Sequence, residues 1–361
     1  VAARTSVWQL SGAQLALTDI AQRLGVEKIL EGSVRVDGDN LRVTAQLIDE
    51  DGFHLWSQTY DRTLDDVLEI QKDIAIKVVD ELEVMLTSDG ETRLHASLTE
   101  NGAAYDKYLQ GRSYLRRPNE HDSLDLAQSY FDASVSLDSR FSLGFAGLCE
   151  TQLGRYRLTR DTDHFRKAEL VCHRALTLDG GLAEVYTALG DLYRHSGQFQ
   201  KAEQEFLTAL RINSTFERAT YGLGRAYQGQ GRLLEAEQML LRGVELEPAY
   251  WGSYLGIGNF LYRQGRYKDA IPHFENVTRL APDYAGGYIN LGSALHWLGD
   301  WAGAEIAWQR ALQLSQDSMS FQNMGTLRYY QHRFDDAVEM YRRAVEVSPQ
   351  DHRNWGKLAA A

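Results

Sequence analysis

From residue 183 onward the apolar positions recur with a period far longer than one helical turn. The set Tyr186-Leu189-Gly190 returns as Thr220-Leu223-Gly224, then as Tyr254-Ile257-Gly258 and Tyr288-Leu291-Gly292. Units therefore begin at 183, 217, 251 and 285, spaced by 34 residues, and a fifth begins one residue early at 318. Each of the first four has a glycine near its middle (Gly197, Gly231, Gly265, Gly299), and all five have alanine at the twentieth position (Ala202, Ala236, Ala270, Ala304, Ala337). A second small residue follows seven places later in four units (Ala209, Gly243, Ala311, Ala344), with Val277 the exception, and Pro248, Pro282 and Pro349 close three units. Two antiparallel helices approach closely only where the facing side chains are small, and proline after the second helix ends it. Leu189, Tyr193, Phe199, Phe206 and their equivalents read as core from their helical spacing.

The pattern extends backwards less regularly. A unit at 142–182 carries Phe145, Leu148, Ala168 and Ala175, with about seven extra residues within 155–164 that read as a solvated loop. A further unit at 104–141 carries Ala127 and Phe131, with residues 118–122 between its helices. After Pro349, residues 352–361 begin another unit with Trp355 and Leu358. The count over 104–361 is seven complete hairpins and the start of an eighth. A single hairpin cannot bury its own apolar face, so such an array is mainly a scaffold.

The first 95 residues follow a different grammar. Residues 1–5 suit a short strand, and residues 15–24 an amphipathic helix ending at Gly25. Alternation predicts strands at 28–36 and 41–48 around a turn at Asp37-Gly38-Asp39-Asn40, with a third at 53–60. Residues 61–86 are expected to be helical, with Ile70, Ile74, Val78 and Leu82 on one stripe. Residues 96–103 read as a linker. Residues 61–91 hold ten acidic side chains against three basic ones, which suits a solvated helix face.

The net charge of −12 excludes general binding of nucleic acid or of anionic membranes by this chain. No apolar run is long enough to span a membrane. No phosphate loop, HExxH pair or nucleophile elbow occurs, so no catalytic residue and no cofactor is assigned. Gly222-Leu-Gly224 and Gly229-Gln-Gly231 resemble dinucleotide-loop fragments, but they fall inside a helical repeat with no strand before them. Asp161, Asp163 and His164 supply no further ligand, so no metal site is assigned. Cys149 and Cys172 fall on helices that pack together. Their positions admit a disulfide, which would favour an oxidising compartment, and also admit two buried free thiols, the commoner outcome.

On the 34-residue period and its small-residue positions, residues 104–361 resemble the tetratricopeptide repeat family. The resemblance implies an all-α, right-handed superhelical solenoid whose concave side binds protein or peptide segments. Residues 30–34 (LEGSV), 43–48 (VTAQLI) and 54–61 (HLWSQTYD) resemble the small α/β (α+β) domain, TolB amino-terminal-like or FlgO-like, that precedes such repeats in CadC-like membrane-anchored winged-helix regulators and in multidomain adenylate cyclases. In that family a further strand and helix come earlier, so the domain at 1–95 reads as clipped at its start, with an open sheet edge.

Positions 2, 5, 9, 12 and 13 of the first helix usually face the groove in tetratricopeptide repeats. Here they offer Arg194 and His195, Arg225 and Gln228, then Asn259, Tyr262 and Arg263, then His296 and Trp297, then Tyr329 and Tyr330. Arginine and aromatic residues together suit an acidic or carboxylate-bearing peptide, with a saccharide as the second choice. The alternative is that the aromatic residues at positions 12 and 13 fill gaps between hairpins. The carboxylate clamp that some members use for chaperone tails is not expected: Asn259 and Asn290 match it, but Leu255, Met319 and Asn323 stand where it needs basic residues.

The expectation is a non-catalytic binding region of a larger bacterial signalling protein, a membrane-anchored transcriptional regulator by preference, with self-association left open. The alternatives are an accessory region of a class III adenylate cyclase and a free-standing envelope scaffold. For location, the periplasmic face of a membrane is slightly favoured over the cytoplasm.

Overall fold

The computed structural model describes residues 19–21, 26–63, 66–82, 98–116 and 121–361. The expected strand at 1–5 and most of the expected helix at 15–24 lie outside the described residues. The chain divides into two compact units, Val1–Arg232 and Leu233–Ala361, each treated by itself below.

The first unit opens with strands β1 (Lys28–Asp37), β2 (Asn40–Asp49) and β3 (His54–Thr63), an antiparallel sheet with β2 in the middle. The register pairs Val36 with Leu41 and Val43 with Tyr60. Helix α1 (Val67–Glu81) closes one face, burying Ile70 against Leu41 and Tyr60 with Val43, Val67 and Ile74 around them. The Tyr60 hydroxyl donates to Asp73 at 2.6 Å, and burial together with this carboxylate raises its pKa well above the phenol range. One expectation fails here: residues 61–63 are not helical. Asp61 continues β3 because it sits opposite Arg42 and forms an ion pair across the strands, at 2.5 Å, and Asp66, just before α1, accepts from the Thr63 backbone.

The helical hairpins follow. In the first unit they are α2 (Gly102–Leu115) with α3 (His121–Leu137), α4 (Ser142–Thr159) with α5 (Thr162–Leu178), and α6 (Ala183–His195) with α7 (Phe199–Ile212). Helix α8 (Glu217–Gly229) completes it. Before α2, Thr99 donates to Asp138 at 2.5 Å and Asn101 caps the helix by accepting from the Ala104 backbone. The extra residues at 155–164 do not form a loop: α4 runs on to Thr159 and α5 starts at Thr162, with Arg160 alone turning left-handed. The insertion lengthens two helices because Asp161 caps α5 through the Asp163 backbone, while His164 is held at 2.8 Å by Gln152.

The second unit contains α9 (Leu233–Leu246), α10 (Trp251–Arg263), α11 (Tyr267–Leu280), α12 (Ala285–Leu298), α13 (Trp301–Leu314), α14 (Ser318–Tyr330), α15 (Phe334–Val347) and α16 (His352–Ala360). Helices α10 with α11, α12 with α13, and α14 with α15 pair as hairpins.

The small positions behave as sterics requires. A Cβ at Gly190 would lie 2.6 Å from the buried Phe206 ring, at Gly258 2.7 Å from Phe274, and at Gly292 2.6 Å from Trp308. These glycines let an aromatic side chain pass between helices, which also disposes of the dinucleotide-loop reading, since Gly222 meets Phe206 in the same way. The turn glycines have φ between +73° and +91° (Gly197, Gly231, Gly265, Gly299), the left-handed region. The fifth unit puts His332 there, at φ 59°.

A second periodic device ties hairpins together. In the first unit Glu203 accepts from Gln230 and Arg232, both at 2.8 Å. In the second unit Glu237 accepts from Arg266 at 2.7 Å, and Glu305 from Arg328 at 2.5 Å.

Candidate functional site

In the first unit the ninth residue of each first helix forms a row of charge across the hairpins: Arg112, Glu150, Asp191 and Arg225. Glu150, nearly buried, accepts from Arg112 at 2.8 Å and is paired with Arg218 at 2.6 Å. Tyr108 is buried beside this group, and burial is the main reason its pKa is pushed up to about 12. Burial works against the charge on Arg218, yet the carboxylates of Glu150 and Asp191 hold its pKa above the ordinary guanidinium range. Its Nη1 atom is buried without a hydrogen-bond partner.

Asp191 is held by Arg194, whose Nη2 and Nε lie 2.7 Å and 3.1 Å from one carboxylate oxygen. Burial opposes ionisation of Asp191, but Arg194 and His195 draw its pKa below the usual carboxylate value. Arg194 Nη2 also lies 2.9 Å from His195 Nε2, which must accept. Burial first, and Arg194 second, lower the His195 pKa to about 4, so the imidazole is neutral near pH 7. The edge of the ring meets Tyr156. Of the four expected groove residues here, Arg194 and His195 are thus locked together. Arg225 and Gln228 are half-buried, three residues apart on one face of α8. Arg112, Glu150, Asp191 and Arg218 were not expected, although they stand at positions 9 and 2. The missing signal was a charged residue at the ninth position of all four first helices.

In the second unit the expected aromatic residues do meet, through partners read as core. Trp297 stacks on Tyr267, centroids 5.8 Å apart at 14°, and Tyr267 meets Tyr262 edge-on at 5.2 Å. Tyr330 stacks on Trp301 at 6.5 Å and packs on His296 at 5.6 Å. Tyr329 meets Phe334 at 5.4 Å. Trp297 is 61% exposed and Tyr330 53%, and both touch the ring of His296, at 6.0 Å and 5.6 Å, so the two outer rings form a shelf over it, whereas the half-buried Tyr262 and His296 fill gaps between hairpins. The His296 Nδ1 is buried without a partner, and burial lowers its pKa. Leu233, Tyr267, Trp301 and Phe334 occupy the seventeenth position, as Phe199 does in its own unit, and the expectation that this position is core fails for Leu233, Trp301 and Phe334. It opens the second helix at the turn, where the rim of the array is accessible to solvent. Arg263 is exposed and Asn259 half-buried, one helical turn earlier on the same face.

Cys149 and Cys172 are fully buried in one cluster with Ala146, Ala168 and Ala188, Cα atoms 5.2 Å apart and sulfurs at bonding distance. Among the described residues no helix is long and apolar enough to cross a membrane.

A family model described as tetratricopeptide repeat matches residues 221–285, 255–318 and 323–361, and a second of the same description matches 183–216. These segments are tetratricopeptide repeats. The chain is also 31% identical over 149 residues, 41% of its length, to "Putative adenylate cyclase 3" of Rhizobium meliloti (strain 1021). That match spans only 25% of the relative's own length. Similar solved structures include PilF of Pseudomonas aeruginosa, 18% identical with a TM-score of 0.47, covering 60% of this chain and all (100%) of that one. A tetratricopeptide repeat protein from Parabacteroides merdae ATCC 43184 is 16% identical with a TM-score of 0.45, covering 71% of this chain and 98% of the other. YrrB, described as a TPR protein with an unusual peptide-binding site, is 19% identical with a TM-score of 0.42, covering 51% and 96%.

Proposed function

We propose that these tetratricopeptide repeats make the chain a non-catalytic capture region, which holds an extended segment of a protein partner on the concave positions of its first helices. The observation that carries this reading is the aromatic shelf of the second unit. Trp297 and Tyr330 are large, rigid and more than half exposed, each with one face stacked on Tyr267 or Trp301, so contact area is offered at little cost in side-chain entropy. Arg263, next in sequence to Tyr262, is exposed and ready for a polar contact.

The region is read as part of a larger bacterial signalling protein. Of the two settings that the sequence suggests, a class III adenylate cyclase has the support of the 31% likeness to a putative cyclase, whereas the membrane-anchored regulator rests on resemblance alone. In the cyclase setting, catalysis belongs to another domain and this region supplies docking.

The experiment is capture of the native partner by the chain and by an Arg263→Ala, Trp297→Ala double variant, followed by chemical cross-linking. The double variant is expected to keep its helical circular dichroism and to lose most of the capture. Equal capture by both proteins, or cross-links confined to the sheet at 28–63, would overturn the reading.

A further inference from the structure

We infer that the outer edge of β1 is a self-association surface, along which two copies of this chain pair β1 against β1, antiparallel, about a two-fold axis at Ser33. It is independent of the capture reading, since it uses no residue of the helical array.

The sheet has the order β1-β2-β3, so β1 is bonded to a strand on one side only. Its outer edge is ten residues long and makes no hydrogen bond among the described residues. The turn to β2 has two residues, Gly38 and Asp39, which makes Asp37 and Asn40 a hydrogen-bonded pair. Bonding sides alternate along a strand. The odd-numbered residues of β1 therefore bond to β2, while Leu30, Gly32, Val34 and Val36 turn their amides and carbonyls outward.

The same four residues lie on the apolar face of the sheet, opposite Leu47, Ala45, Val43 and Leu41. Helix α1 covers that face over β2 and β3, where Leu41, Tyr60 and Ile70 are buried. It leaves β1 bare: Val34 is 66% exposed, and Leu30 and Val36 are exposed as well. From Leu30 to Val36 no charge interrupts this face of the strand, although an inward charge is the usual guard of an open edge. Such an edge is a template for another strand. The other edge does not compete, because β3 lies under α1 and its Asp61 is already held by Arg42.

The charge pattern selects a second copy as the added strand. On the polar face, Glu31 and Arg35 have neither an ion pair nor a side-chain hydrogen bond among the described residues. Four residues apart on one strand, they are about 13 Å from each other, too far to pair. Arg35 stands opposite Arg42, whose charge is taken by Asp61. Antiparallel pairing centred on Ser33 sets Glu31 opposite Arg35 of the second copy and, by symmetry, Arg35 opposite its Glu31. The row across the polar face then has a carboxylate at each end of two guanidiniums. The same register sets Leu30 opposite Val36 and Val34 opposite Gly32, where no side chain obstructs it. Every hydrogen bond between the copies comes from an outward-turned residue. Centring the pair on Val34 instead would set Glu31 against Asp37 and Arg35 against Ser33. Backbone, apolar face and charge therefore agree on one register.

The test is sedimentation velocity of the full chain over a concentration series, with circular dichroism to confirm that each variant keeps its fold. Wild type is expected to pass from monomer to dimer as concentration rises. Val34→Pro removes an outward amide and no bond within the sheet, while Glu31→Arg or Arg35→Glu sets like charges against each other twice per dimer. Each should weaken the dimer by about tenfold or more. An equimolar mixture of the Glu31→Arg and Arg35→Glu chains should regain it, because their heterodimer places two arginines against two glutamates. The doubly exchanged chain should regain it alone. A variant that merely damaged the sheet gains nothing from mixing. Trp297→Ala should leave the dimer as it is. A chain that stays monomeric at every concentration overturns the inference, any strand bound at the edge then coming from a different protein. So does a dimer indifferent to Val34→Pro and to both charge reversals, or one whose reversed chains are not rescued by mixing.

Discussion

The indole of Trp297 lies flat on the phenol ring of Tyr267, which belongs to the preceding hairpin, at a centroid distance of 5.8 Å and an angle of 14°. An offset stack of this kind is worth about 0.5–1.5 kcal/mol beyond area burial. A double-mutant cycle on Tyr267→Ala and Trp297→Ala, followed by urea unfolding, should therefore return a coupling energy in that range. A coupling near zero would mean that the shelf is not held in place by its neighbour.

His332 occupies the left-handed turn that glycine fills in the other four regular units. An L-residue there costs about 1–2 kcal/mol, partly offset by the extra chain entropy that glycine loses on folding. His332→Gly should stabilise the protein by about 0.5–1 kcal/mol. Gly265→Ala should act in the opposite direction, and thermal melts of both variants check the pair.

Glu150 joins α2, α4 and α8 through Arg112 and Arg218. Glu150→Gln keeps the shape and removes the charge, leaving two guanidiniums close together without a counter-ion. A loss of about 3 kcal/mol is expected, as for other buried pairs broken on one side, and is measurable by chemical denaturation. A loss below about 1 kcal/mol would show that water screens the site.

The pH dependence follows from His195, whose folded pKa is about 4 against 6.5 for an unperturbed histidine. As pH falls from 6.5 towards 4 the unfolded chain takes up a proton that the folded protein refuses, so stability present above pH 6.5 is progressively lost. The effect is on the order of 2 kcal/mol after allowance for solvent screening. His195→Gln should flatten the stability profile in that window, a change that denaturation midpoints at several pH values will reveal.

The buried cysteines give a redox prediction. With Cα atoms 5.2 Å apart and a sequence separation of 23, they are placed to pair under oxidising conditions. Reduction, or Cys149→Ser with Cys172→Ser, should then lower stability by about 3 kcal/mol, the entropy expected of such a loop. Free-thiol titration of the unfolded protein, with and without reductant, decides whether the bond exists.

The helical array was legible because packing imposes it on the sequence: Gly190, Gly258 and Ala202 are small for reasons of contact, and contact repeats with the fold. Strand ends were less legible. Asp61 looked like the start of an acidic helix, and only its partner Arg42, 19 residues away, makes it a strand residue. Trp301 and Phe334 look identical to core aromatics along the sequence; their exposure depends on where the turn meets solvent, which periodicity does not encode. The charged row was hidden for another reason. Arg112, Glu150, Asp191 and Arg225 are spaced by 38, 41 and 34 residues, so the longer units at 104–141 and 142–182 take the row out of the common period.

The ties between hairpins have an evolutionary consequence. Glu203 and Arg232 are 29 residues apart, and so are Glu237 and Arg266, and the second pair is the first moved on by 34 residues. One period further on the tie is gone, because Ile271 and Asp300 stand where the acid and the base would be. A 34-residue segment duplicated within 203–266 therefore leaves each acid facing a base on the next hairpin, whereas a segment exchanged with the later repeats breaks the seam.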